Sequence, residues 1–144
     1  MFTRFAMPRR SLHDGGSAAG PVRIFVVEDV QLVRRRIVSA LNSEPGLTVV
    51  GEADSCGVAQ SMLPTVKVDV LVSDISLPGT SELRNGLDLI KWALHQIPHL
   101  RAIVLTNYAD EAYRRASQRV GAMAFLDKSS EFEQLTPTIL RAAS

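Results

Sequence analysis

Short runs of apolar residues alternate along the chain with segments in which apolar residues recur every three or four positions. The runs have the length and the β-branched composition of buried strands. The segments between them have the periodicity of amphipathic helices. The pattern predicts strands at residues 22–27, 47–53, 68–74, 101–106 and 122–126, and helices at 31–43, 55–63, 87–97, 110–120 and 136–143.

Proline and glycine sharpen several of these boundaries. Gly121 follows the fourth helix, in which Ala112, Ala116 and Val120 are predicted to face inward. A proline in a helix interior removes a hydrogen bond, so the last helix is predicted to begin with Thr136 as its cap and Pro137 at its first position. The polar loop at 79–86 is predicted to be mobile.

Five alternations of strand and helix predict an α/β protein. We expect a doubly wound, five-stranded parallel sheet with helices on both faces and right-handed crossovers. In such a sheet the carboxyl ends of all strands meet at one edge, which is where binding crevices form.

Composition narrows the class of protein. The chain has 144 residues, a net charge of +1 and 22% charged residues, which gives no support for sequence-independent nucleic-acid binding. The single cysteine, Cys56, cannot form an internal disulfide, which fits the cytoplasm. The apolar runs are all too short to span a membrane.

The first twenty residues differ from the rest. They carry Arg4, Arg9 and Arg10 and a glycine- and serine-rich stretch without apolar periodicity. We therefore predict a flexible N-terminal tail at 1–20 and a single domain at 21–144.

Chemically capable residues follow four of the five predicted strands. Glu28 and Asp29 follow the first strand, Asp74 follows the third, Thr106 ends the fourth, and Lys128 follows the fifth. Two adjacent acids are tolerated where a cation or a cationic side chain lies between them. We expect these residues to converge at one edge of the sheet.

Each of these residues also has a structural interpretation. Asp74 could cap the following loop, Glu28 and Asp29 could cap the first helix, and Lys128 could merely neutralise an acid. Thr106 could be an ordinary strand residue. The coincidence of all of them at one edge argues for a shared function.

This set of residues, in this order and at strand ends, resembles the receiver domain of two-component response regulators over residues 22–143. The resemblance implies the flavodoxin-like receiver fold, with five βα units. It implies that Asp74 is the phosphoacceptor, modified by a sensor histidine kinase or a histidine phosphotransfer protein. Lys128 and Thr106 would then contact phosphoryl oxygens, which carry negative charge during transfer.

The resemblance also implies a cofactor and a switch. Glu28, Asp29, Asp74 and the backbone carbonyl of Ser76 resemble a Mg²⁺ site, and oxygen ligands suit that ion. Phe125 matches an aromatic residue that changes rotamer when the threonine moves, although a plain core phenylalanine is an alternative. Phosphorylation would then change the face made by the fourth helix, fifth strand and fifth helix, where an unknown target protein binds.

Three features depart from the family pattern. Asn107 stands where alanine or glycine is usual, the loop at 79–86 is longer than usual, and no proline follows Lys128. These differences bear on kinetics and on the choice of partner.

We expect no output domain beyond the last predicted helix. We therefore expect a stand-alone receiver in a phosphorelay, with no direct nucleic-acid or membrane binding, and no enzymatic activity beyond assisting phosphoryl transfer to and from Asp74. One alternative is a receiver-like scaffold that is never phosphorylated. A haloacid-dehalogenase-type phosphatase is disfavoured, because Ser76 stands where that family needs a general acid. The kinase, target and oligomeric state stay open.

Overall fold

The computed structural model of the protein describes residues 3–4 and 20–143. Its strands are β1 (Thr3–Arg4), β2 (Val22–Val27), β3 (Leu47–Ala53), β4 (Val70–Ser73), β5 (Arg101–Thr106) and β6 (Ala124–Asp127). Its α-helices are α1 (Gln31–Asn42), α2 (Cys56–Met62), α3 (Gly86–Gln96), α4 (Glu111–Arg119) and α5 (Leu135–Ala143).

Strands β2 to β6 form the predicted parallel sheet. The strand order is β1-β6-β5-β4-β2-β3, so the sheet is doubly wound about β2 and β4. Strand β1 pairs antiparallel with β6, through Thr3 with Phe125 and Arg4 with Ala124. The sequence pattern did not predict β1. Apart from residues 3–4 and Gly20, the predicted N-terminal tail lies outside the described residues.

Two apolar layers cover the sheet, one on each face. The first is packed mainly by α2 and α3 and includes Phe25, Leu71 and Phe125, all fully buried. The second is packed by α1 and α5 and includes Val26 and Ile103. Because both faces are covered, the central strands are apolar on both sides, as their unbroken hydrophobic runs predict.

Side-chain caps define the start of three helices. Ser55 accepts from the Val58 N–H at the start of α2, and Asp110 accepts from the Tyr113 N–H at the start of α4. Asn85 accepts from two N–H groups of α3. Such caps satisfy backbone donors that the helix itself leaves unpaired.

Two details of the predicted helices are wrong. Helix α5 begins at Leu135 rather than after a Thr136 cap, because a 3-10 turn at Phe132–Gln134 leads directly into it and Pro137 is accommodated in the first turn. Ala112 is exposed, and the buried residue of α4 is Ser117.

The loop before α3 is anchored at several points. Leu77 and Leu83 are buried in it, and the Thr80 N–H donates to the Leu83 carbonyl at 2.8 Å. The Pro78 carbonyl accepts from the Cys56 N–H at 2.9 Å. These contacts restrain the segment that the sequence predicts to be mobile.

Within the described ranges, the structure contains no helix that is long and apolar enough to cross a membrane.

Candidate functional site

The carboxyl edge of the sheet brings the strand-end residues together. Glu28 and Asp29 follow β2, Asp74 follows β4, Thr106 ends β5 and Lys128 follows β6. Strand order places β4 between β2 and β5, so Asp74 lies at the middle of this edge. The strand order therefore brings these residues to one edge of the sheet, as the sequence predicts.

Lys128 links the two sides of the site. Its ammonium donates to Oδ2 of Asp74 at 2.7 Å and to Oε1 of Glu28 at 2.5 Å. All three side chains are at most 9% exposed. The lysine therefore compensates two buried carboxylates, which would otherwise repel each other in a poorly solvated place.

The electrostatics reflect that burial. Desolvation raises the pKa of Glu28 despite its hydrogen bonds to Lys128 and to the Val30 N–H. Burial would lower the pKa of Lys128, but its hydrogen bonds to Asp74 and Glu28 outweigh this, so the pKa of Lys128 lies above its ordinary value. The site thus favours a charged lysine.

The two oxygens of Asp74 have different partners. Oδ1 accepts from the Ile75 N–H at 2.7 Å, which fixes the carboxylate to its own backbone. Oδ2 faces Lys128. The Asp74 N–H donates to the Val27 carbonyl, which ties the strand end to β2.

Three carboxylates lie close enough together to hold a metal ion. One oxygen each from Glu28, Asp29 and Asp74 lies within 4.8 Å of the others. Asp29 is exposed, so one side of the group is open to solvent. An all-oxygen set open to water suits Mg²⁺, which keeps several of its water ligands. Ser76 is exposed, two residues beyond Asp74 in the same loop.

Thr106 is fully buried at the end of β5. Its hydroxyl accepts from the Tyr108 N–H at 3.1 Å, and its carbonyl accepts from the Lys128 N–H at 2.8 Å. The threonine therefore contacts the backbone of both the β5–α4 loop and the lysine segment.

The backbone of Asp74 is held by a residue that the sequence did not single out. The Gly86 N–H donates to the Ile75 carbonyl at 2.7 Å, and a Cβ on Gly86 would lie 1.8 Å from the Asp74 carbonyl oxygen. Only glycine permits this approach of α3 to the end of β4. Its place after Asn85 at a helix start was the available signal.

Two arginine contacts near the site were not predicted, although the sequence places Arg114 on or near the face made by the fourth helix, fifth strand and fifth helix. Arg34 donates to the Glu28 carbonyl at 2.8 Å and to Glu52 at 3.0 Å, although the sequence places it on a solvated helix face. Arg114 lies over the buried ring of Phe125, with 4.9 Å from the guanidinium carbon to the ring centre. Such cation–π contacts have no sequence signal, because they depend on packing between elements.

The fold and site define a class: doubly wound α/β proteins with an acidic triad and a lysine at the carboxyl edge of the sheet. The sequence model described as "Response regulator receiver domain" matches residues 24–140. The chain belongs to this family, for which phosphorylation and Mg²⁺ binding are typical.

Curated relatives include full-length regulators. The chain is 33% identical over 118 residues to the DNA-binding transcriptional activator DevR/DosR of Mycobacterium tuberculosis, covering 82% of this chain and 52% of that protein. It is 31% identical to a protein-glutamate methylesterase/protein-glutamine glutaminase of Anaeromyxobacter dehalogenans, covering 81% and 34%. The chain spans about half the length of curated relatives such as DevR/DosR.

Solved structures give the same fold. A two-component response regulator of the LuxR family from Aurantimonas has a TM-score of 0.78 and 25% identity, covering 86% of each chain. The non-phosphorylated receiver domain of the stress response regulator RcsB from Escherichia coli has a TM-score of 0.76 and 27% identity, covering 85% of this chain and 92% of that one.

Proposed function

We propose that Asp74 accepts a phosphoryl group from the phosphohistidine of a sensor kinase or a phosphotransfer protein. The hydrogen bonds from Lys128 to both Asp74 and Glu28 carry this proposal, because they place a cation beside an immobilised carboxylate. In the reaction an Asp74 oxygen bonds to phosphorus, the phosphorus–nitrogen bond breaks, and the imidazole keeps the electron pair.

Glu28, Asp29, Asp74 and the Ser76 carbonyl would hold Mg²⁺, which supplies positive charge for the phosphoryl oxygens. Once Asp74 is phosphorylated to an acyl phosphate, Lys128 pairs with a phosphoryl oxygen instead of Oδ2. The Thr106 hydroxyl donates to another oxygen. The protein's part is therefore to position the acid and to neutralise charge, as in other phosphoryl transfers.

The output is a change of partner binding. The Thr106 hydroxyl accepts from the Tyr108 N–H, so a shift of that hydroxyl reaches the β5–α4 loop, while the Thr106 carbonyl stays bonded to the Lys128 N–H. We propose that phosphorylation shifts the population of the surface formed by α4, β6 and α5, including Phe125. The target there is a protein.

Two statements about the whole protein stay predictions. The first is that the receiver acts without an attached output domain. The other is the absence of direct DNA contact, since DNA binding is named for relatives such as DevR/DosR.

Beryllofluoride binding, followed by ¹⁹F NMR with Mg²⁺ present, tests the site. We expect stoichiometric binding to the unmodified chain and none to Asp74→Asn. Asp29→Asn is expected to raise the Mg²⁺ concentration that beryllofluoride binding needs, since Asp29 is the exposed member of the triad. Asp54→Asn is the matched control, because Asp54 is an exposed acid directly after β3. Binding that survives Asp74→Asn would contradict the assignment.

A further inference from the structure

Strand β6 ends at Asp127, which pairs with Thr106 in the parallel ladder, and the next residue supplies the ladder bond: the Lys128 N–H donates to the Thr106 carbonyl at 2.8 Å. The backbone groups of Asp127 itself therefore face away from β5, at the edge of the sheet beyond the two residues of β1. The Asp127 N–H donates instead to Oε1 of Glu131, at 2.9 Å. The carboxylate of Glu131, four residues further along the chain, therefore accepts the hydrogen bond of the last residue of β6.

Glu131 is well placed to do this. It is only 5% exposed, and its own N–H donates to the Asp127 carbonyl at 2.7 Å. Residue 131 thus satisfies both backbone groups of Asp127. Hydrogen bonds from a backbone N–H to a carboxylate are charge-assisted and shorter than neutral ones.

The turn beyond Lys128 is exposed. Ser129 and Ser130 face solvent, and Ser129 donates to the Asp127 carboxylate, at 2.9 Å from its N–H and 2.7 Å from its hydroxyl. No proline stiffens the turn after Lys128. Besides its own bonds to Thr106, Asp74 and Glu28, Lys128 is therefore held by the closed turn from Asp127 to Glu131.

We propose that Glu131 is a positioning residue for Lys128. By binding both backbone groups of Asp127, it closes the turn around Lys128, directly after the ladder bond to Thr106, and this turn keeps the lysine side chain directed at Asp74. The inference deepens the proposed function and rests on it, because it takes Lys128 as the group that binds phosphoryl oxygens.

Three variants test the role through beryllofluoride affinity in Mg²⁺. Glu131→Met removes the acceptor at similar size, and we expect affinity to fall about tenfold, as for a misplaced catalytic group. Glu131→Gln keeps an acceptor oxygen and is expected to stay within about twofold. Glu133→Gln, an exposed acid in the same turn, is the control and is expected to have no effect.

A double-mutant cycle with Lys128→Ala separates positioning from general stability. If Glu131 acts through Lys128, Glu131→Met has no further effect once Lys128 is gone. Additive losses would overturn the inference while leaving the proposed function intact. An unchanged affinity in Lys128→Ala alone would instead overturn the role of Lys128 in the proposed function.

Amide exchange in the unmodified chain gives a reading that needs no variant to fold. We expect the Asp127 N–H to exchange slowly, because a buried carboxylate accepts it. Exchange as fast as that of the exposed Ser130 amide would overturn the inference. Faster exchange in Glu131→Met but not in Glu131→Gln is the supporting result.

Discussion

Lys128 shows how one residue can balance two others. Its ammonium satisfies Glu28 and Asp74 together, and the three groups are nearly buried. Removing the cation leaves two acids facing each other without compensation. The residue types and strand ends could be predicted from the sequence, but the three-way contact could not, because it joins positions 28, 74 and 128 through the folded sheet.

Replacing Lys128 with methionine is expected to have two effects. The free energy of unfolding without Mg²⁺ should fall by about 3 kcal/mol, the usual cost of breaking a buried ion pair. Mg²⁺ affinity should rise, because the ammonium no longer competes with the ion for the Glu28 and Asp74 carboxylates. Urea unfolding and calorimetric titration measure the two quantities. Weaker Mg²⁺ binding in the variant would contradict this account of the acidic triad.

Cys56 is expected to be chemically inert. It is fully buried at the start of α2, and burial raises the pKa of its thiol to about 11. Only the thiolate reacts with a disulfide reagent, so labelling at pH 8 should occur at the rate of unfolding. The time course with a coloured aromatic disulfide, with and without urea, measures this. Fast stoichiometric labelling of the native chain would be the contrary result.

At the scale of elements, the contact between α3 and β4 holds the Asp74 backbone. Gly86→Ala would drive a methyl group into the Asp74 carbonyl, so we expect a loss of about 3 kcal/mol in stability and weaker beryllofluoride binding. Gly57→Ala in α2 is the matched control, because its new methyl meets only Thr80, at 3.4 Å. Thermal melts of both variants test the difference, and equal melting temperatures would disprove it.

The start of α3 also carries a pH-dependent contact. The Arg84 N–H donates to Asp88 at 2.9 Å and, with the Arg84 side chain, lowers the pKa of Asp88 below its ordinary value of 3.8. A lowered pKa means that the stabilisation is complete above pH 3.8 and is lost as the pH falls further.

Asp88→Asn is therefore expected to cost about 0.5 to 1 kcal/mol at pH 7, and less as the pH falls below 3.8. Urea unfolding of both proteins between pH 7 and pH 3 measures the difference. If the difference in unfolding free energy between the two proteins grew as the pH fell, it would contradict a lowered pKa for Asp88.

Most helix and strand boundaries could be predicted, because each element has its own periodicity and three of the helices begin at a side-chain cap. The start of α5 could not, since a 3-10 turn before Leu135 has no distinct pattern and carries Pro137 into the first turn. Helical spacing placed Ala112, Ala116 and Val120 inward; Ala116 and Val120 pack against the core, but Ala112 is exposed and the fully buried residue of α4 is Ser117. Spacing alone could not tell that a serine lies at the centre of the packed side.

At the scale of the whole molecule, the parallel sheet and its site edge follow from the alternation of strand and helix. The antiparallel pairing of β1 with β6 does not, because two residues carry too little pattern to predict a strand. The roles of Gly86 and Glu131 also escaped prediction, since both depend on backbone groups that only the folded chain brings near. The sequence therefore predicts the reacting groups better than it predicts the groups that hold them in place.

The measurement that tests the central claim most directly is the intact mass of the chain after incubation with acetyl phosphate and Mg²⁺. The account predicts one added phosphoryl group that hydroxylamine removes. It should be absent from Asp74→Asn and after chelation of Mg²⁺, and unchanged in Asp54→Asn. A chain that stays unmodified under conditions that phosphorylate a known receiver, or one that is still phosphorylated in Asp74→Asn, would contradict the account.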